Sequence, residues 1–104
     1  MATGKIEKIG KWFILGNLSG GGNTTVTLPI TNGTYLACTG HNASNATNTI
    51  WILRGTANAG AGAWLMGVGN GATSAITVTN LGDGQFKFES SSGSTNIYAC
   101  YIGS

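Results

Sequence analysis

A chain of 104 residues has room for one compact domain with a modest core. Charged residues make up only 8%, and a net charge of +2 built from five cations neutralises too few phosphates for nucleic-acid binding. The hydrophobic fraction of 41% and the three Trp, three Tyr and three Phe exclude a disordered chain, and no apolar run is long enough for a membrane span.

Lys5, Glu7, Lys8 and Lys11 gather at the start of the chain, so residues 1–11 read as a lead-in segment and 12–104 as a single domain. Ile6, Ile9 and Phe13 recur at helical spacing, which leaves a short helix and a first strand both open. No secretory signal is visible, and the expectation is a chain made and folded in a cytoplasm.

Strands are predicted near Lys11–Leu15, Thr24–Leu28, Thr34–Cys38, Thr49–Arg54, Ala63–Val68, Ala75–Thr79, Gln85–Glu89 and Asn96–Ile102. Gly, Asn, Ser and Thr punctuate the gaps. This spacing suits an all-β, antiparallel sandwich or barrel of about eight short strands. Thr25 to Leu28, Ala75 to Thr79 and Phe86 to Phe88 alternate apolar with polar residues, as half-buried strands do. Ile50 to Leu53 and Trp64 to Met66 are apolar at every position, and a strand apolar on both faces either lies between two layers or covers an interface. Asn32-Gly33 and Asp83-Gly84 read as hairpin turns, because both pairs reach positive φ readily. The segments 19–23, 39–48, 55–62 and 69–74 lack apolar anchors and read as loops.

Few residues here carry chemistry. The carboxylates are Glu7, Asp83 and Glu89, and the sole histidine is His41. Asp83 and Glu89 bracket one strand, too far apart to flank a single glycosidic bond. No nucleophile elbow precedes a helix. Cys38, Cys100 and His41 lack metal-ligand spacing, so neither cofactor nor metal is expected, and an enzyme is not. The run from Gly67 to Ala72 mimics a dinucleotide fingerprint, but a strand pattern follows where the phosphate site requires a helix. Cys38 and Cys100 fall inside predicted strands, and without a secretory signal they are expected as buried free thiols. Five N-x-S/T sequons, at Asn17, Asn23, Asn32, Asn42 and Asn45, reflect Asn/Thr-rich loops.

Ligand contact is expected through loop amides and hydroxyls, which donate and accept hydrogen bonds toward hydroxyl-rich partners. The candidates are His41, Asn42, Asn45, Asn58 and Asn70, with Arg54, the lone charge between Trp12 and Gly82. Arg54 stands either as a contact for an acidic sugar or phosphate or as a partner for its own strand end.

The stretch Thr24 to Pro29, then Asn32 to Ala37, then the apolar strand with Trp51, resembles the C-terminal head domains of phage tail and collar fibres. The Ala75 to Asn80 strand and the closing aromatic strand Tyr98 to Ile102 fit the same layout, so the resemblance spans Trp12 to Ser104. It implies a jelly-roll-like sandwich, trimeric about the fibre axis. It further implies a virion location at a fibre tip, where distal loops hold a bacterial surface polysaccharide or protein receptor. Two other readings compete: a structural virion or surface protein, and a monomeric carbohydrate-binding module.

Overall fold

The computed structural model describes residues 11–19, 22–39, 49–68, 76–90 and 95–103, with backbone alone for 64–68. Eight strands form: β1 (Trp12–Leu18), β2 (Asn23–Thr27), β3 (Thr34–Thr39), β4 (Thr49–Arg54), β5 (Ala63–Val68), β6 (Ile76–Gly82), β7 (Gln85–Ser90) and β8 (Thr95–Gly103). They make two antiparallel sheets, one ordered β1-β8-β3-β4-β5 and the other β2-β7-β6. The fold is an all-β antiparallel sandwich. The first strand pairs with the last and the second with the seventh, which is the nested pairing of a rolled-up, jelly-roll-like chain. The nesting breaks at β3, which pairs with β4 instead of β6, so that β4 and β5 extend the larger sheet.

The core forms where the inward residues of both sheets meet. Tyr35 and Ala37 of β3, Trp51 and Leu53 of β4, and Ile97 and Ala99 of β8 face Val26, Ile76, Phe86 and Phe88 of the smaller sheet, all buried. Trp51 and Phe88 lock the layers edge to face, with ring centroids 5.3 Å apart, a geometry that adds to the area term. Tyr35 takes Phe13 and Tyr101 edge-on, and its hydroxyl accepts a 2.9 Å hydrogen bond from the Ile30 amide. That bond satisfies the polar end of a ring that is otherwise in the core.

A bulge keeps β1 in phase. Pairing with β8 slips between Ile14 and Gly16, so Leu15 and Gly16 fall in succession and Leu18 returns to the core. Without that extra residue, strand alternation would turn Leu18 outward. Gly16 is required there because a Cβ would lie 2.6 Å from Val26.

One expected hairpin forms and the other does not. Asp83 and Gly84, with φ of 53° and 74°, make the tight primed turn joining β6 to β7. Asn32-Gly33 instead ends a crossover between sheets, since β2 pairs with β7 and β3 with β4 and β8. After β2, Leu28 donates to Gly84 and Pro29 has no amide to give a ladder. The chain therefore leaves the smaller sheet and turns, with Gly33 donating to the Ile30 carbonyl at 2.9 Å.

Candidate functional site

The two outer faces of the sandwich are chemically opposite. On the three-stranded sheet, register puts Thr25, Lys87 and Thr79 in one row and Asn23, Glu89 and Thr77 in the next. Thr27 and Gln85 continue that surface, and Lys87 pairs with Glu89 at 3.7 Å. This is an ordinary solvated face. The five-stranded sheet presents apolar rows instead. One row runs Trp12, Cys100, Leu36, Ile52, and the next runs Ile14, Tyr98, Cys38, Ile50. Trp64 takes the register position opposite Ile52. Trp12, Ile14 and Ile50 remain 45%, 60% and 44% exposed.

Polar residues bracket those rows at both ends. At one end Arg54 stands opposite Thr34, and its Nη1 donates to the Thr34 Oγ1 at 3.3 Å. At the other, Asn17 Nδ2 donates to Asn96 Oδ1 at 2.9 Å. The sequence pointed to β4 and β5 as doubly apolar; the contribution of β1, β3 and β8 was missed. Its signal was present, because Trp12 to Leu15, Tyr35 to Cys38 and Ile97 to Ile102 are apolar in both phases of a strand.

Both cysteines lie on this outer face as free thiols. Cys100 is buried as expected, but Cys38, in the same outward phase, is only half-buried, which corrects the expectation for it. Burial still pushes the Cys38 thiol above its ordinary value. In register, Leu36 rather than Cys38 faces Cys100, so the two sulfurs are diagonal neighbours. Diagonal Cα atoms are about 7–8 Å apart, beyond comfortable disulfide span.

Of the residues singled out for ligand contact, His41, Asn42, Asn45 and Asn70 lie outside the described residues. Arg54 is exposed and closes β4; Asn58 is exposed in the β4–β5 loop. That loop crosses to the smaller sheet. Asp83 donates to the Ala57 carbonyl at 3.2 Å, Gly60 donates to the Asn80 carbonyl at 3.3 Å, and Arg54 donates to the Gly62 carbonyl at 2.6 Å. Asn80 anchors the crossing from below. Its buried amide donates to Thr56 Oγ1 at 2.7 Å and to the Ala61 carbonyl at 2.8 Å, and its Oδ1 accepts from the Gly82 amide at 2.9 Å. Gly62 lets the amide approach, because a Cβ there would come within 2.7 Å of Asn80 Nδ2. Asn80 is thus a structural amide.

Antiparallel register fixes which strand ends coincide. Arg54, the start of β3, the β6–β7 turn, the start of β1 and the end of β8 share one end of the sandwich. The strand ends that flank 40–48 and 69–75, at Thr39, Thr49, Val68 and Ile76, share the other. Arg54 and Asn58 are therefore not at the end to which the other four candidates connect.

Among the described residues, no group of three His, Cys, Asp or Glu side chains gathers to hold a metal, and no helix is long and apolar enough to cross a membrane. Comparison with protein-family models, curated proteins and solved structures gave no match.

Proposed function

We propose that the chain is a non-enzymatic attachment domain of the kind that caps a phage tail or collar fibre. It works as a homotrimer in the virion and holds a bacterial surface glycan or protein receptor. The observation carrying this reading is the opposition of the two outer faces: an apolar five-stranded sheet suited to burial between subunits, and a hydroxyl- and amide-rich remainder suited to polar contact. Weak single-site affinity for sugars is then raised by presenting several copies at one tip.

The start of β1 lies at the end carrying Arg54, so on the fibre reading that end faces the rest of the virion. Receptor contact then belongs to the opposite end, to which the segments holding His41, Asn42, Asn45 and Asn70 connect. Arg54, at the near end, serves as a strand-end partner of Thr34. The same apolar face also supports a second reading, a structural virion or surface protein whose only task is assembly.

Labelled chain incubated with intact bacteria of several strains separates the two. Saturable, strain-dependent binding that His41→Ala or Asn45→Ala weakens and Arg54→Gln leaves unchanged supports attachment at the far end. Loss through Arg54→Gln at unchanged oligomer mass moves the contact to the near end. Absence of binding to every strain favours pure assembly, and a monomer that still binds sugar makes the chain a carbohydrate-binding module.

A further inference from the structure

We infer that the outer face of the five-stranded sheet is the contact between copies of this chain, centred on Trp12, Ile14, Leu36, Ile50, Ile52 and Tyr98. The inference deepens the trimeric reading by locating its interface, yet it stands on the sheet alone and does not need a receptor. Five strands about 4.8 Å apart and some six residues long cover roughly 500 Å² in projection. That is at the upper end of the apolar patches monomers leave in water, about 300–600 Å².

The occupant follows from charge and symmetry. Among the described residues of this sheet's outward rows Arg54 is the single charge, and it sits at a corner; a partner chosen by charge complementarity would have almost nothing to hold there. A neutral apolar surface is matched by another neutral apolar surface, and in a closed trimer the contact is heterologous, one flank of this face meeting the other flank on the next copy. The face also has the anatomy of an interface. Its apolar rows hold the aromatic anchors Trp12 and Tyr98, with Thr34 and Arg54 bounding them at one end and Asn17 and Asn96 at the other, as a dry centre within a polar rim.

Sedimentation of the full chain between about 0.1 and 50 μM, concentrations at which a micromolar or tighter self-association shows as added mass, is the test. Ile14→Lys and Ile52→Lys each place a charge in the contact, and Thr79→Lys on the opposite face is the control. Ile14 is already 60% exposed, so its variant folds even if Ile52→Lys does not, and circular dichroism checks both. The expected result is a multiple of the chain mass for the parent and Thr79→Lys, with dissociation at least about 100-fold easier in the Lys variants. Alkylation of Cys38 by iodoacetamide should slow several-fold on going from dilute to concentrated parent. A parent that stays monomeric at the highest concentration overturns the inference. So does an oligomer indifferent to both Lys variants. A monomer whose Cys38 reacts only after residues 1–10 are deleted assigns the face to the chain's own lead-in segment and likewise overturns it. A stable oligomer that binds no bacterium leaves the interface standing and removes only the receptor.

Discussion

Asn80→Ala is the sharpest test of how the near end is held together. The substitution removes three hydrogen bonds, to Thr56 Oγ1, the Ala61 carbonyl and the Gly82 amide. The losses are unequal. Gly82 is buried and its amide would be left without a partner, costing about 1–3 kcal/mol. Ala61 is exposed, and the Thr56 hydroxyl still donates to the Asn58 carbonyl at 2.8 Å; water replaces part of what these two lose, about 0.5–1 kcal/mol together. The expected total is about 1.5–4 kcal/mol, which in a domain of this size lowers the midpoint of thermal unfolding by about 6–30 °C. Urea unfolding followed by the fluorescence of Trp51, buried against Phe88, measures it at constant slope. Asn58→Ala, exposed in the same loop, should change stability by less than about 0.5 kcal/mol. An Asn80→Ala loss as small as that would show that the amide network does not hold the loop.

The strand pattern was legible because punctuation and alternation both survive in this sequence. All eight strands form where the spacing placed them, and β4 and β5 match residue for residue. β1 extends beyond its expected end at Leu15, because Gly16-Asn17 breaks the alternation and the bulge that absorbs the break is a pairing property. Sheet membership was less legible. A turn pair such as Asn32-Gly33 specifies local φ and ψ, while the choice between hairpin and crossover depends on which strand already occupies the neighbouring edge. Here β7 takes β2, and β8 takes β3. The same nonlocal pairing hid the apolar face. Trp12, Cys100, Leu36 and Ile52 are scattered through the sequence and become one row only after four strands are in register. Asn80 carried no local mark to distinguish it from the loop asparagines, since its partners come from residues 56, 61 and 82.

Three further outcomes follow from particular contacts. Gly55→Ala drives a Cβ into the Thr31 carbonyl oxygen, backbone against backbone, and should cost at least about 3 kcal/mol or prevent folding, read by expression of soluble protein and urea midpoint. Gly84→Ala forces a side chain into φ of 74°, with its Cβ 3.1 Å from Thr31; a loss of about 1–2 kcal/mol is expected, whereas Asp83→Asn at φ of 53° should be nearly neutral, because Asn tolerates that region. Finally, Cys38 reports burial through pH. Desolvation holds its thiol above the ordinary value, since burial disfavours the thiolate. The folded chain therefore keeps this proton where the unfolded chain has released it. Stability contributed by the group is complete below the unfolded thiol's value and falls as pH rises through the folded one. The alkylation rate of Cys38 should reach half its maximum at higher pH than that of a free cysteine, with Cys100→Ala used to isolate the signal. Adding a partner copy over the same face removes more water, so the midpoint should climb further with protein concentration. A Cys38 midpoint at or below that of free cysteine would contradict the burial that the outer sheet gives it.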